Sequence, residues 1–129
     1  MTNPSPPSIY PTLRYTDADA AVTQLTTVFG LAEKSVSRSP AGMIEHAELT
    51  WGNGLIMLSQ RSAEPSPFDT GRSVLYLVVA DPDAHHDRAV AAGAQVIMPL
   101  TDQPYGSREY AATDLEGNVW CFGTYQPTV

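Results

Sequence analysis

The sequence is short of basic residues, with seven lysines and arginines against fourteen aspartates and glutamates and a net charge of −7. Nucleic acid and anionic membrane surfaces both attract basic protein faces, so we expect neither as a partner. The single cysteine excludes an internal disulfide and favours a reducing compartment. No apolar run is long enough to span a bilayer, and the N-terminus lacks the pattern of a signal peptide. We therefore predict a cytoplasmic protein.

The two halves of the chain superpose under one gapless shift of 64 residues, which places Asp17 on Asp81 and Gly42 on Gly106 (81 − 17 and 106 − 42). Internal repeats of this kind indicate a repeated structural unit. Each half is predicted to run strand–helix–strand–strand–strand. The predicted division is a tail at 1–8, a first module at 9–61, a linker loop at 62–72, a second module at 73–125 and a tail at 126–129, with the two modules in one domain.

Capping and turn residues set the boundaries of the predicted elements. Asp17 and Asp81 are favourable N-caps, and Gly30 is a favourable helix end. Gly52-Asn53 predicts a two-residue hairpin turn, and residues 114–118 predict the turn of the closing hairpin. We also expect a strand over 9–15 and a loop over 100–105.

Two stretches of sequence carry a resemblance to a known family. Leu13–Ala21 resembles the first strand and helix start of the vicinal-oxygen-chelate superfamily, which includes glyoxalase I, bleomycin-resistance proteins and extradiol dioxygenases. Tyr105–Glu109 with Asp114–Asn118 resembles the family's closing hairpin, with Leu115 in place of the usual proline. The resemblance implies an α+β fold of two tandem βαβββ modules. Their curled mixed sheets would surround a cleft and carry the helices on the outer face.

The resemblance also gives positions for a metal. Catalytic members of the family bind a divalent ion through histidine and glutamate at positions that fall here on Tyr10, Met57, Val74 and Cys121. Such an ion needs oxygen and imidazole ligands, and a phenol with a thiol does not supply them. We therefore expect no metal and no other cofactor, and no glyoxalase or dioxygenase chemistry of the family type.

The remaining histidines and the cysteine have plain structural interpretations. His85 and His86 are adjacent on a predicted helix, so their side chains diverge. We expect His85 to be partly buried and His86 to be solvated. Cys121 is expected to be a small apolar wall residue rather than a nucleophile, because no basic partner for it is visible in the sequence.

The resemblance implies that the metal positions face the cleft, and strand alternation then assigns the other side chains that face it. The Gly52-Asn53 turn pairs Glu48 with Met57, and paired residues share a face of the sheet. The same construction in the second half turns Tyr110 toward the cleft. The predicted ligand-binding residues are Tyr10, Thr12, His46, Glu48, Met57, Ser59, Phe68 at the tip of a candidate lid, Val74, Tyr76, Tyr105, Arg108, Tyr110 and Cys121.

An apolar, aromatic cleft suits a flat organic molecule held by stacking and a few hydrogen bonds. The leading hypothesis is a metal-independent homodimer that sequesters an aromatic or largely apolar natural product or antibiotic, as the bleomycin-resistance branch does. Its cleft would take walls from both subunits, and its acidic surface would favour a cationic ligand. The aromatic residues are also compatible with plain packing.

An alternative hypothesis is a metal-free isomerase, lyase or cyclase acting on a natural-product intermediate. His46 would serve as base, Glu48 would orient it, and Tyr110 would donate a proton. His46 and Glu48 are equally compatible with a structural pair, with each other or with Arg108. A third hypothesis is a subunit or regulator whose cleft is vestigial.

Overall fold

Each half of the chain forms a βαβββ module in the computed structural model, which describes residues 6–128. Residues 1–5 of the predicted N-terminal tail and residue 129 of the C-terminal tail lie outside the described residues. The elements are β1 (Thr12–Tyr15), α1 (Ala18–Thr27), β2 (Ala32–Arg38), β3 (Ile44–Trp51), β4 (Gly54–Gln60), β5 (Val74–Val78), α2 (Pro82–Ala91), β6 (Gln95–Asp102), β7 (Arg108–Thr113) and β8 (Val119–Gly123). The predicted α+β class with two tandem βαβββ modules is confirmed.

The described residues form two compact units. The first contains the residues up to Thr26 together with Leu31–Gly71, and the second contains Thr27–Gly30 and the residues from Arg72 onward. The first unit holds a four-stranded sheet of order β1-β4-β3-β2 (sheet 1), and the second holds one of order β5-β8-β7-β6 (sheet 2). In each sheet the first strand of the module runs parallel to the last, and the other pairs are antiparallel.

Both helices begin at the aspartates predicted to cap them. The Asp17 carboxylate accepts a hydrogen bond from the Ala20 amide at 3.0 Å, and the Asp81 carboxylate accepts one from the Ala84 amide at 3.0 Å. These contacts satisfy backbone donors that have no partner within a helix. After α1, Gly30 adopts a positive φ of 86°, which glycine accepts without steric cost. Neither helix, nor any other among residues 6–128, is long and apolar enough to cross a membrane.

Sheet 1 has one buried face and one less buried face. Leu13, Leu58 and Ala47 are successive register partners across the sheet and are at most 5% exposed, so they form its core face. Glu48 pairs with Met57, as predicted from the two-residue turn, and both point to the opposite side, where side chains are half-buried. We call that side the open face of sheet 1.

The core face of sheet 2 is aromatic. Trp120, Phe122 and Tyr110 are fully buried, and the Phe29 ring lies 6.3 Å from the Trp120 ring and 5.4 Å from the Phe122 ring. His85 of α2 joins this cluster, with Nδ1 2.6 Å from the Tyr110 hydroxyl and Nε2 2.7 Å from the Phe29 carbonyl oxygen. Because the carbonyl can only accept, Nε2 carries the proton, and burial lowers the pKa of His85. His85 was expected to be partly buried and is more deeply buried than that, at 7% exposed. The expectation of a solvated His86 is wrong, because its ring packs edge-on against Tyr110 at 5.0 Å and 23% of its side chain is exposed.

The prediction that Tyr110 faces the cleft is wrong. Tyr110 pairs with Phe122 and Ala112 pairs with Trp120, so β7 turns these side chains into the core. Glu109 and Ala111 take the other side of sheet 2, which we call its open face.

The physical reason is the length of the hairpin loop. The β3–β4 hairpin closes on the pair Trp51–Gly54, with two residues between them. The second hairpin closes on Asp114 and Asn118, whose amide and carbonyl lie 2.9 Å apart, with three residues between them. The turn at Gly117 has a φ of 87°, which completes a three-residue loop. One additional loop residue reverses the face of every side chain on β7.

Two predicted strand boundaries also change. β6 continues to Asp102, so residues 100–102 are strand rather than the predicted loop. The strand passes through Pro99 because a register irregularity between Met98 and Thr101 removes the need for a ladder donor there. β1 begins at Thr12 rather than at residue 9.

Candidate functional site

The open face of sheet 1 gathers five of the predicted ligand-binding residues. Met57 lies at the centre, with Thr12 as its parallel partner on β1 and Glu48 as its antiparallel partner on β3. Arg14 pairs with Ser59 one step along the same face. The five predicted residues on this face are Thr12, His46, Glu48, Met57 and Ser59.

A short chain of charged groups crosses this face. The Nε2 atom of His46 donates to Glu48 at 2.8 Å, and the Lys34 ammonium donates to the other Glu48 oxygen at 3.0 Å. The hydrogen bond from His46 lowers the pKa of Glu48 the most, and the hydrogen bond from Lys34 lowers it further. Both carboxylate oxygens therefore have nitrogen donors. The proposed pairing of His46 with Glu48 is confirmed, and the alternative pairing with Arg108 is wrong.

The loop predicted as a lid is tied to the first unit by two arginines. Arg14 forms a 3.3 Å ion pair with Asp69 and lies 5.6 Å from the centroid of the Phe68 ring. Arg61 donates to the carbonyl oxygens of Thr70 at 2.9 Å and Asp69 at 2.8 Å. Phe68 itself is 68% exposed at the tip of this loop. An exposed aromatic ring on an anchored loop is suited to contact a bound molecule.

On the open face of sheet 2, Tyr76 pairs with Cys121 and Cys121 pairs with Ala111. Val74 lies on the same side of β5 and is 71% exposed. Burial raises the pKa of the Cys121 thiol, and the negative charge of Glu109 raises it further. A thiol whose pKa is raised is a poor nucleophile, so Cys121 acts as an apolar wall of this face.

Glu109 is a residue of this face that the sequence analysis did not select. It is 7% exposed, and one carboxylate oxygen accepts a hydrogen bond from the Tyr105 hydroxyl at 2.9 Å. A methyl group added at Gly123 would lie 2.6 Å from both the Glu109 side chain and the Tyr76 hydroxyl oxygen. Because Gly123 has no side chain, the Glu109 side chain and the Tyr76 hydroxyl can occupy the space beside it.

Tyr105 and Tyr76 lie beside this carboxylate, and Tyr125 contacts both of these tyrosines. The Tyr76 hydroxyl donates to the Tyr125 carbonyl at 2.7 Å, and the Tyr125 amide donates to the buried Ser107 hydroxyl at 3.0 Å. The Tyr105 and Tyr125 rings meet edge to face at 6.1 Å. The pKa of Tyr105 is raised chiefly by its hydrogen bond to Glu109, and the pKa of Tyr76 chiefly by burial. Both phenols therefore stay neutral near pH 7.

Arg108 does not reach the open face. It forms ion pairs with Asp83 at 2.6 Å and Asp102 at 3.1 Å, which raise the pKa of its guanidinium. Because it is two residues from Tyr110, it points to the side of sheet 2 on which α2 packs. Its prediction as a cleft residue is wrong for the same reason as that of Tyr110.

The four positions that correspond to the metal ligands of the family do not fit a divalent ion. Tyr10 precedes β1 and is 37% exposed, and the others are a thioether, an aliphatic side chain and a thiol with a raised pKa, at Met57, Val74 and Cys121. Within residues 6–128, no group of three or more histidine, cysteine, aspartate or glutamate side chains is placed to hold a metal ion. Borderline and hard divalent ions require such donors.

A sequence signal for Glu109 did exist. Asp114 caps its own loop by accepting from the Glu116 and Asn118 amides at 3.0 Å each, and Gly117 supplies the positive φ. An aspartate followed by a glycine at this spacing is typical of a three-residue hairpin loop. Applied to this hairpin, that pattern turns Glu109 rather than Tyr110 to the open face.

Comparison with known proteins places these features in a family. TioX from Micromonospora sp. ML1 is 34% identical, with a TM-score of 0.76 over 92% of this chain and 100% of that one. A glyoxalase/bleomycin resistance protein/dioxygenase family enzyme from Burkholderia phytofirmans PsJN has 23% identity and a TM-score of 0.68, over 88% of this chain and 94% of that one. An uncharacterized protein of Mycobacterium tuberculosis (strain H37Rv) is 30% identical over 125 residues, covering 91% of this chain and 74% of its own length.

The family match extends over nearly the whole chain. Residues 9–122 match the Glyoxalase/Bleomycin resistance protein/Dioxygenase superfamily, a range that includes both helices and every strand except the last residue of β8. The duplicated βαβββ architecture and the sequence match agree, and the chain belongs to the glyoxalase/bleomycin resistance protein/dioxygenase superfamily.

Proposed function

We propose that this protein binds an aromatic or largely apolar small molecule without a metal ion. The observation that carries the proposal is the chemistry at the four family metal positions, where Tyr10, Met57, Val74 and Cys121 provide no imidazole and no carboxylate. A family member without that donor set retains a curved, partly exposed sheet surface and loses the family's metal-dependent chemistry.

The open faces have the composition of an organic ligand site. Met57 supplies a flexible, polarizable side chain on sheet 1. Tyr76 supplies an aromatic ring on sheet 2, and Tyr105, in the turn before β7, supplies another beside Glu109. Val74 and Tyr105, at 71% and 62% exposed, are large side chains that a bound molecule would remove from water. Burying such surface is worth about 25 cal/mol per Å², so even a modest contact area gives useful affinity.

The biological role we propose is sequestration, of the kind that protects a cell against a natural product or antibiotic. Its support is the family match, whose description includes bleomycin resistance proteins. We also propose a homodimer with two equivalent sites, as the family resemblance implies. Sedimentation at micromolar concentration tests the dimer directly, and a species with the mass of one chain would contradict it.

A thermal-shift screen of metal-stripped protein tests the binding proposal. One panel contains nickel, zinc, manganese and iron salts, and the other contains planar aromatic antibiotics including bleomycin. Selective binding to the native state at 100 times Kd adds about 2.7 kcal/mol to the free energy of unfolding. We expect a saturable rise in Tm with an aromatic compound. A saturable rise with a metal, together with stoichiometric metal content, would contradict metal independence.

A second candidate function is metal-free acid–base catalysis. It is favoured by the 2.8 Å contact between His46 and Glu48, because an oriented histidine is the usual general base. Tyr110 has no place in such a mechanism, since it is fully buried and its hydroxyl is hydrogen-bonded to His85. The variant His46→Gln separates the two candidates. Catalysis predicts loss of turnover with this variant, whereas binding alone predicts a modest change in Kd.

A further inference from the structure

We propose that the open face of sheet 2 carries a subsite for an organic ammonium group, with Glu109 as its counter-ion and the rings of Tyr76, Tyr105 and Tyr125 as its walls. The inference rests on the proposed binding function and deepens it, because it names the charge class of the ligand. A molecule that fits would combine an aromatic or aliphatic body with a protonated amine or a quaternary ammonium.

Glu109 is a largely buried acid without an ion pair. It is 7% exposed, and among the ion pairs of residues 6–128 none includes it. Its neighbour Arg108 points to the opposite side of the sheet and forms ion pairs with Asp83 and Asp102. No fully buried side-chain oxygen among the described residues lacks a hydrogen-bond partner, so the Glu109 oxygen without a donor remains in contact with solvent. A ligand cation can therefore reach this oxygen and compensate its charge.

The two oxygens of the Glu109 carboxylate differ in their hydrogen bonding. The Tyr105 hydroxyl donates to Oε1 of Glu109, and within the described part of the chain no donor is placed on Oε2. The Tyr76 hydroxyl is not available for it, because that group donates to the Tyr125 carbonyl. Oε2 therefore remains the acceptor for an incoming N–H group, or the counter-charge for a quaternary nitrogen.

Aromatic rings lie around this carboxylate. Ring faces attract cations, and they attract alkylated ammonium groups in particular because these are weakly hydrated. The hydrogen bonds from the Tyr76 hydroxyl to the Tyr125 carbonyl and from the Tyr105 hydroxyl to Glu109 hold two of the three rings in place before any ligand arrives. A prearranged site loses less entropy on binding. A metal ion is the wrong occupant, since among residues 6–128 Glu109 belongs to no group of three or more histidine, cysteine, aspartate or glutamate side chains that could hold one.

Choline and its neutral carbon isostere, 3,3-dimethyl-1-butanol, test the charge requirement directly. Both are titrated into the full-length protein with amide chemical shifts as the readout. We expect choline to bind at least about tenfold more tightly than the alcohol and to shift resonances of Tyr105, Glu109 and Tyr125, because only choline gains the cation–π and carboxylate interactions. Equal affinities, or choline shifts confined to the first unit, would overturn the proposal.

Three variants sharpen the assignment. Glu109→Gln keeps the shape and removes the charge, and we expect it to weaken choline binding about tenfold while leaving the alcohol unchanged. Tyr105→Ala removes an exposed ring of the subsite, so we expect this variant to fold even if Glu109→Gln does not. We expect it also to weaken choline binding. Glu45→Gln removes the same charge from an exposed position and serves as the matched control, with unchanged affinity. Equal weakening by the control would mean that net charge alone attracts choline, and it would overturn the subsite.

The outcome is separable from that of the proposed function. If an aromatic antibiotic stabilises the protein and choline does not bind, the binding function stands and the ammonium subsite fails. If choline binds at Glu109 and no aromatic compound does, the subsite stands and sequestration of an aromatic molecule fails. A wild-type oligomer that protects Tyr105 from solvent, with no choline binding until it is dissociated, would assign this face to a second copy and overturn the subsite.

Discussion

The two units present carboxylates on the open faces of equivalent sheets, and they treat them differently. On sheet 1, Glu48 receives hydrogen bonds from His46 and Lys34, so its charge is compensated within the protein. On sheet 2, Glu109 is more deeply buried and receives one hydrogen bond, from the neutral Tyr105 hydroxyl. An internally compensated charge suits structure, whereas an uncompensated one in aromatic surroundings suits recognition of a ligand.

The difference originates in hairpin loop length. A two-residue loop in the first unit puts Glu48 opposite Met57, and a three-residue loop in the second puts Ala111 opposite Cys121. The acidic side chain on the open face of β7 is therefore at position 109, opposite Gly123. One additional loop residue thus makes the open faces of two otherwise matching modules different.

The largest expected effect comes from removing that residue. Deletion of Glu116 leaves only Leu115 and Gly117 between Asp114 and Asn118. The native pairing then needs a two-residue turn with a positive φ at the leucine and without the Glu116 amide, whereas a one-residue slip of β7 would expel Tyr110 from the core. Because both alternatives are costly, we expect the free energy of unfolding to fall by more than about 3 kcal/mol. Urea denaturation measures it, with exposed Leu115→Ala as a control that changes stability little. A deletion variant as stable as the parent would show that the register of β7 does not require a three-residue loop.

The turn of the second hairpin should contribute more to stability than the turn of the first. Asp114 accepts hydrogen bonds from the Trp120 indole and the Asn118 side chain at 3.0 Å each, in addition to its backbone donors. Asp114→Ala leaves these buried donors without an acceptor, so we expect a loss of about 2–4 kcal/mol in the free energy of unfolding. Asn53→Ala, in the exposed turn of the first unit, should cost less than about 0.5 kcal/mol. Similar losses for both variants in urea denaturation would contradict the contrast between the turns.

A moderate, pH-dependent effect is expected from His85. Burial lowers its pKa in the folded protein, so the unfolded chain takes up a proton first as the pH falls below about 6.5. Stability should be full above that pH and should decline toward pH 5 with a slope of up to about 1.4 kcal/mol per pH unit. Denaturation at several pH values measures this slope. His85→Gln should reduce this slope. His86→Gln should retain it, because His86 lies at the edge of the Tyr110 ring and forms its hydrogen bond with the exposed Asp87. An unchanged slope in His85→Gln would assign the pH dependence to other groups.

The smallest effect concerns the loop anchored in the first unit. Arg14→Gln removes the ion pair with Asp69 and the contact with the Phe68 ring. Partly exposed ion pairs contribute little to global stability, so we expect an almost unchanged Tm. Limited proteolysis within residues 62–70 should nevertheless become several-fold faster, because the loop opens locally. Equal cleavage rates for the variant and the parent would mean that the Arg61 contacts alone hold the loop.

The sequence was sufficient for most of the fold. Aspartate caps, glycine helix ends and the 64-residue repeat predicted both modules, and the Gly52-Asn53 turn predicted the side-chain directions on sheet 1. The second hairpin was mispredicted because a five-residue turn segment fits more than one closing pair, and each choice reverses β7. Strand alternation predicted the exposed apolar side chains of sheet 2. The environment of Glu109 was not predictable, because it depends on the positions of Gly123, Tyr105 and Tyr125 relative to one another. Those positions follow from the strand register, which the sequence left uncertain by one residue.

Metal independence is tested most directly by isothermal titration of the best aromatic compound from the screen into chelator-treated protein and into protein supplied with nickel or zinc. We expect saturable binding with the same Kd in both samples, because the positions at Met57 and Cys121 offer no ligand set for an ion. Binding that appears only after a stoichiometric metal has been added would contradict it.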